Sequence, residues 1–275
     1  MSARGWRSRI GDRLRRLRLL AVADRINLWR HMLSTAEANR RFRRAHAGFA
    51  LPPAPLAFEA YGHVDAGEYL ASGQNHARIM VELITQGMPR PAASVLEWGC
   101  GPGRIIRHLK AMGLDVQASV TGVDVDEAAI AWCREHLDGI EFLGCEHSPP
   151  LPFDACSFDA VYHYSVWTHL SAESIEASVA EFARVLHPQG LMIGTSHGDG
   201  YADMLSPEEK HAYCQGLAVE RAGFAEGRKY FLGFHPPAFL QSILAQRFES
   251  VRHISSVGAA DFPQDLWIAS RPRMS

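Results

Sequence analysis

The stretch between Val95 and Arg104 constrains the fold of this chain more than any other part of the sequence. Its apolar start indicates a buried strand, which carries Glu97 near its end and leads through a glycine turn into a helix. The turn has glycine at alternate positions, and because glycine has no Cβ, the backbone can turn tightly and a ligand can lie against it. The three alternate glycines are Gly99, Gly101 and Gly103.

The spacing of these glycines indicates which ligand the turn can hold. In a dinucleotide-binding fingerprint the third glycine comes three residues after the second, whereas here it comes one residue earlier. Glu97 would also repel a phosphate, and a carboxylate there suits a cationic or amine-bearing ligand. About twenty residues later, Asp124 ends a second apolar strand. A carboxylate at this position can accept hydrogen bonds from the hydroxyls of a ribose.

With three further segments, the chain resembles the class I S-adenosylmethionine-dependent methyltransferases. The acid-x-Gly-x-Gly-x-Gly turn and the second strand-end acid are followed, in the family's order, by segments at 151–153, 157–161 and 184–191. The resemblance covers roughly residues 60–270. It implies S-adenosylmethionine as cofactor and a Rossmann-like α/β fold of seven mostly parallel strands, with helices on both faces and an antiparallel last strand. The chain is most similar to bacterial methyltransferases of small molecules or glycans.

The resemblance also implies which residues hold the cofactor. Glu97 would face the ammonium group of its methionine part, Asp124 its ribose and Val125 its adenine. The residues after the third strand would read the adenine amino group, although the family's usual Gly-Asp pair is absent there. The cofactor-binding candidates are Glu97, Gly99, Cys100, Gly101, Gly103, Arg104, Asp124, Val125, Cys145, Glu146 and Tyr164.

Two histidines at predicted strand ends are candidates for a catalytic base. His169 follows the fourth strand and His197 the fifth. A hydroxyl acceptor must lose its proton during methylation, and a histidine with a pKa near ~6.5 can take it; each residue could instead brace the structure. No metal-ligand set stands out among the 14 histidines. The sequence therefore predicts a metal-independent O-methyltransferase of a small-molecule or sugar hydroxyl.

Beyond residue 65, apolar patterns alternate between helix and strand, which predicts right-handed crossovers and a parallel sheet. Predicted helices cover 67–87, 103–112, 126–137, 172–186 and 236–247. Predicted strands cover 93–98, 118–124, 140–144, 158–163, 190–195, 249–256 and 264–270. Residues 197–235 show no clear periodicity and follow the fifth strand at the carboxyl edge, so they are predicted to form a substrate-side cap.

The N-terminal segment differs in charge from the rest of the chain. Residues 1–46 hold 13 arginines and three acids, which leaves 15 of 28 basic and 27 of 30 acidic residues elsewhere. The acidic body argues against a nucleic-acid substrate. The segment is interpreted as a solvated or partner-docked extension, and the alternative is a basic helix lying on an anionic membrane. The apolar residues predicted on one face of that helix are Ile10, Leu14, Leu17, Leu20, Leu28 and Leu33.

Prolines near residue 53 indicate a linker, so two units are predicted. Residues 1–55 form a basic helical extension with its linker, and residues 56–275 form the methyltransferase domain. Deletion of residues 1–50 is expected to leave cofactor affinity intact. Five cysteines without a C-x-x-C pair favour a cytoplasmic protein, with attachment to the inner membrane face as the variant.

Two other functions stay open at this stage. The first is a non-catalytic protein that keeps the fold as a binding or scaffold module, although a scaffold has no need for the glycine turn and the two strand-end acids. The second, less favoured, is a nucleotide-dependent oxidoreductase. The oligomeric state has no signature in the sequence.

Overall fold

The computed structural model describes residues 20–221, 225–257 and 263–273 of the 275-residue chain. In these residues the helices are α1 Leu20–Ala45, α2 Ala54–Tyr61, α3 Ala66–Gly87, α4 Glu127–His136, α5 Ala172–Val185, α6 Pro207–Cys214 and α7 Pro237–Arg247. The strands are β1 Ser94–Trp98, β2 Ser119–Asp124, β3 Glu141–Gly144, β4 Phe158–Tyr162, β5 Leu186–Ser196, β6 Val219–Arg221, β7 Leu232–Phe234, β8 Phe248–Ile254 and β9 Asp265–Pro272.

Seven strands form one sheet in the order β3-β2-β1-β4-β5-β9-β8. The pairs from β3 to β5 are parallel, whereas β9 runs antiparallel to both β5 and β8. This arrangement confirms the predicted Rossmann-like fold with its antiparallel last strand. The chain order reverses between β1 and β4, and open α/β sheets bind ligands in the crevice at such a point.

Alternate side chains of the central strands enter two apolar cores, one on each face of the sheet. On one face, Val95 of β1 belongs to a cluster with Met80 of α3 and Ile130 of α4. On the other face, the next residue, Leu96, belongs to a cluster with Phe182 of α5. Helices therefore cover both faces, as predicted, and the carboxyl edge of the sheet is available for a site.

The prediction of a helix over 103–112 is wrong. The segment instead contains two short 3₁₀ turns, Ile106–His108 and Lys110–Met112. Its first turn packs directly on α3, where a Cβ on Gly73 would lie 2.4 Å from the carbonyl oxygen of Arg104. The backbone of the segment thus approaches α3 closely, and its own hydrogen bonds, such as that from the N–H of His108 to Ile105 O at 3.0 Å, close 3₁₀ turns and not α-helical ones.

The segment 197–235 has more regular structure than its sequence indicates. It contains a 3₁₀ turn, helix α6 and the antiparallel pair β6–β7. Tyr213, Val219 and Phe234 form a small separate core there. Strands of three residues are too short to show an alternating pattern, which is why the sequence gives no sign of them.

The N-terminal helix α1 packs against α2. Leu28 contacts the cluster that contains Phe58, whereas Leu33 is exposed, so the prediction that these two leucines share one face is wrong. Ile10, Leu14 and Leu17 lie outside the described residues, as does most of the arginine-rich stretch before α1. No helix in the described part of the chain is long and apolar enough to cross a bilayer.

Candidate active site

A cavity of about 840 Å³ lies at the carboxyl ends of β1, β2 and β4. Ten of the thirteen predicted site residues line it: Glu97, Gly99, Cys100, Gly101, Arg104, Asp124, Val125, Cys145, Tyr164 and His169. Gly103, Glu146 and His197 do not line it. The cavity is therefore where the fold brings most of the predicted residues together.

The glycine turn has the conformation that its sequence predicts. Gly99 and Gly101 have positive φ angles of 73° and 49°, which side chains rarely tolerate. A Cβ on Gly99 would also lie 2.4 Å from a methyl group of Val166. Gly103 has a different role, which is to allow close packing. A Cβ there would lie 2.5 Å from a methyl group of Leu137, outside the cavity.

Glu97 is a buried carboxyl group on the cavity wall. Its side chain is 3% exposed, and its Oε2 atom accepts a hydrogen bond of 2.8 Å from the hydroxyl of Tyr162 on the adjacent strand. Burial raises the pKa of Glu97 to about 8, against smaller opposing effects of Tyr162 and the guanidinium of Arg104. A cationic ligand group beside Glu97 would therefore stabilise its charged form.

Asp124 is fixed by backbone hydrogen bonds at the end of β2. Its carboxylate accepts the N–H of Gly101 at 2.7 Å and the N–H of Asp126 at 2.8 Å. Burial raises its pKa from the usual 3.8. Each carboxylate oxygen has a further lone pair for a ligand hydroxyl. Asp126 takes the helix-capping position on α4.

The Tyr61 hydroxyl and the Arg104 Nε–H are among the buried polar groups of the cavity residues that have no hydrogen-bond partner within the described part of the chain. Arg104 Nη1 donates to Ser72 Oγ at 3.1 Å and to His76 Nδ1 at 2.9 Å. Its guanidinium carbon lies 4.9 Å from the centre of the Tyr61 ring and 5.3 Å from that of Tyr164. Buried polar groups are rarely left unpaired, so these two atoms point to a polar ligand.

The far end of the cavity differs from the prediction. Val125 and Cys145 line it, but Glu146 is exposed, and the neighbouring His147 lines the cavity in its place. Nε2 of His147 lies 3.3 Å from the carboxylate of Glu226. The sequence missed His147 because the family's Gly-Asp pair, which would have fixed the alignment of this turn, is absent.

The structure separates the two candidate bases. His169 lines the cavity, and its Nδ1 donates to the carbonyl oxygen of Phe231 at 2.9 Å. Because a carbonyl can only accept, Nδ1 carries a proton, and in the neutral ring Nε2 is unprotonated. Burial lowers the pKa of His169 from 6.5. His197 instead donates to Gly233 O at 3.1 Å and stacks on Phe234, away from the cavity.

Several cavity residues come from segments that precede the first strand, where the sequence contains no recognisable motif. They are Glu59, Tyr61, His63, Ser72, Asn75 and His76. Burial, followed by the charge of Arg104, lowers the pKa of His76 to about 3, so this histidine stays neutral at physiological pH. The polar segment Tyr61-Gly62-His63 separates two helices, and this is the local sequence signal that could have indicated these cavity residues.

In the described residues, no group of three or more histidine, cysteine, aspartate or glutamate side chains comes together as a metal site. The expectation of metal-free chemistry stays a prediction.

Part of the chain is similar to known methyltransferases. A family model described as a methyltransferase domain matches residues 95–190, from β1 into β5. An uncharacterized protein of Haemophilus influenzae is 32% identical over 118 residues, which cover 40% of this chain and 45% of that protein. The malonyl-acyl-carrier protein O-methyltransferase of Salmonella typhimurium is 28% identical over 132 residues, covering 47% of this chain and 48% of that enzyme. The chain thus spans about half the length of these relatives.

A solved structure shares the fold. SAM-bound CalS10, an amino pentose methyltransferase from Micromonospora echinaspora, is 18% identical, with a TM-score of 0.52 over 72% of this chain and 91% of that chain. At this identity the likeness concerns the fold alone. The residues matched by the family model include those that build the glycine turn and the strand-end carboxylates Glu97 and Asp124, so these site residues lie in the part of the chain that is similar to a methyltransferase domain.

Proposed function

We propose that this chain transfers a methyl group from S-adenosylmethionine to an oxygen of a small-molecule or sugar acceptor, with His169 as the base. The observation that carries the proposal is the hydrogen bond from His169 Nδ1 to Phe231 O, which leaves an unprotonated Nε2 on a residue of the cavity wall. His197, the other candidate, is held outside the cavity.

The cavity residues fit the cofactor. Glu97 would bind the ammonium group, and the unpaired Arg104 Nε–H and Tyr61 hydroxyl would bind the carboxylate of the methionine part. Asp124 would accept from the ribose hydroxyls, and Val125 would pack on the adenine. When bound, S-adenosylmethionine supplies an electrophilic methyl group on a sulfonium.

The protein's own contribution is positioning and proton removal. Methyl transfer is an in-line displacement, so the walls of the cavity must hold the acceptor oxygen in line with the reacting bond. Nε2 of His169 takes the proton of the acceptor hydroxyl as the oxygen is alkylated. The lowered pKa of His169 keeps this nitrogen unprotonated at neutral pH.

An oxygen acceptor also has support from a relative. The Salmonella typhimurium protein is named as a malonyl-acyl-carrier protein O-methyltransferase. A carboxylate acceptor needs no base, because it carries no proton at neutral pH. The effect of a His169 substitution therefore distinguishes a hydroxyl acceptor from a carboxylate acceptor.

The first stage of the test is calorimetric titration with S-adenosylmethionine and S-adenosylhomocysteine. Wild type should bind both, and Asp124→Ala should weaken binding by at least about tenfold, as expected for lost charge-assisted hydrogen bonds of roughly 1.5–3 kcal/mol. If the folded wild type binds neither, the binding or scaffold alternative is favoured. Binding of NADH or NADPH instead would favour the oxidoreductase.

The second stage is turnover with a panel of sugars and phenols. His169→Asn keeps a donor at the position of Nδ1 but removes Nε2, so kcat should fall about 10²–10⁴-fold while cofactor affinity stays within twofold. His197→Asn is the matched control and should retain most of the activity of wild type. Full turnover of a hydroxyl acceptor by His169→Asn, with the pH profile of wild type, would remove His169 as the base.

A further inference from the structure

Helix α1 presents a row of large apolar side chains to solvent. Val22, Ile26, Trp29 and Leu33 are 55%, 57%, 63% and 72% exposed. Their spacing of four, three and four residues places them on one face of the helix. We call this row the outer face of α1. Apolar patches of this kind mark sites of protein or membrane contact.

The opposite face of α1 packs against the rest of the molecule, so the outer face is not the side by which this helix is held. Leu28 packs against Phe58 of α2. Asn39 donates to Val64 O at 2.8 Å and accepts the N–H of Ala66 at 2.8 Å. The outer face therefore points away from the methyltransferase fold and is available to a partner.

The charges around the outer face are positive. Arg25 and Arg30 are exposed and lie on its two sides, and Arg40 and Arg44 continue the same line further along the helix. Glu37 is the acid on this side, and it is paired with Arg40 at 2.5 Å and Arg41 at 3.0 Å. By sequence, residues 1–19 add seven arginines and one aspartate.

A second cavity adjoins this surface. It has a volume of about 520 Å³ and lies between α1 and the segment that leads into α3. Arg40, Arg43 and Arg44 line it together with apolar side chains such as Met32 and Leu51. Arginine side chains beside an apolar recess suit an anionic headgroup with an attached chain.

We propose that the outer face of α1 docks on an anionic lipid bilayer, with Trp29 and Leu33 entering the interface and the arginines contacting lipid phosphates. Aromatic and aliphatic residues on one helix face, flanked by arginine, are the pattern of helices that lie in the membrane interface. A second copy of the chain fits less well, since pairing two outer faces would bring their arginines together. The inference is independent of the proposed methyl transfer.

The test is flotation of the full-length protein with vesicles of phosphatidylcholine alone and of phosphatidylcholine with one quarter phosphatidylglycerol. Wild type should bind the anionic vesicles, and the bound fraction should fall with added salt. Leu33→Asp should weaken this binding more than tenfold. The control Val116→Asp, at an apolar residue of the body that is 68% exposed, should leave it unchanged. Arg25→Ala with Arg30→Ala should weaken it about fivefold for each arginine.

Two results would overturn the proposal. One is binding of Leu33→Asp to anionic vesicles as tight as that of wild type. The other is a dimer of the wild type in sedimentation equilibrium that Leu33→Asp dissociates, with no vesicle binding by wild type. S-adenosylhomocysteine affinity and thermal unfolding of each variant, measured on the same samples, separate a failed surface from an unfolded protein.

Discussion

At the scale of single residues, Glu97 carries an energetic conflict between stability and binding. Its usual pKa of 4.5 is raised to about 8 by burial. The folded protein therefore holds a proton that the unfolded chain has released, and the free energy of unfolding falls as pH rises from about 4.5 to about 8. A ligand ammonium removes this conflict by pairing with the carboxylate.

We expect Glu97→Gln to separate the two effects. The neutral amide removes the cost of a buried carboxylate, so the melting temperature should exceed that of wild type at pH 8.5 and match it near pH 5. Affinity for S-adenosylhomocysteine should fall at least about tenfold, since the ammonium loses its charged partner. Thermal unfolding and calorimetry at several pH values measure both.

Glu82→Gln is the matched control, because Glu82 is half-exposed on α3 and pairs only with Arg78 in the described residues. It should change neither quantity. A Glu97→Gln protein whose stability relative to wild type is the same at pH 5 and pH 8.5 would contradict the raised pKa.

The sequence predicted the strand-end residues of the cavity better than the rest. Glu97 and Asp124 each end an apolar run that leads to the same sheet edge, so their proximity follows from topology. His169 and His197 also follow predicted strands, and pattern alone cannot rank them. Their roles diverge because the ring of His197 packs on Phe234 of the insertion, a tertiary contact with no local signature.

At the scale of elements, the segment of residues 226–228, between β6 and β7, lies at the end of the cavity that Val125 and His147 line. Gly227 N–H donates to His169 O at 2.9 Å, and Arg228 pairs with Asp126 at 3.2 Å. Glu226 accepts from Ser174 Oγ at 2.5 Å and lies beside His147. We expect this segment to open when the cofactor exchanges, so its anchors should set the rate of release.

We expect Glu226→Ala to speed release of S-adenosylhomocysteine about tenfold, because several hydrogen bonds of ~1 kcal/mol each hold the segment through this carboxylate. Arg228→Ala should have at most about a fivefold effect, because its ion pair is half-exposed and such pairs contribute ~0–1 kcal/mol. Stopped-flow displacement measures both rates.

Arg271→Ala breaks an exposed pair with Glu249 on the far strands and serves as the control with an unchanged rate. Equal release rates for Glu226→Ala and wild type would show that this segment does not limit exchange.

Helices and strands were predictable where an apolar pattern extends over many residues. They were missed where tertiary contacts determine the local structure. The helices before and after β4 and the seven strands of the sheet follow from their patterns. The 3₁₀ turns over 103–112 replace a helix because that segment packs its backbone on Gly73 of α3. The β6–β7 pair is too short to leave a pattern.

At the scale of the whole molecule, α1 is joined to the cavity and is not a separate appendage. Lys229, which lines the cavity, pairs with Asp24 of α1 at 2.7 Å and with Glu59 of α2 at 3.6 Å. Its ammonium also lies 4.2 Å from the ring centre of Phe58. The prolines and the charge contrast in the sequence suggested two units that meet at residue 55. Neither signal shows which face of a helix packs against the rest of the molecule, so the contact of α1 with the cavity rim was not predicted.

We therefore expect deletion of residues 1–50 to lower the melting temperature and to weaken S-adenosylhomocysteine binding about tenfold, contrary to what the charge contrast suggests. The deletion uncovers Phe58 and removes the partner of Lys229, so both the α2 wall and the rim of the cavity lose support. Deletion of residues 1–19 leaves α1 in place and should keep the affinity of wild type. Asp24→Asn should fall between them, because Lys229 keeps Glu59. If the longer deletion binds as tightly and melts as late as wild type, α1 contributes nothing to the cavity, and its role would lie only in what its outer face contacts.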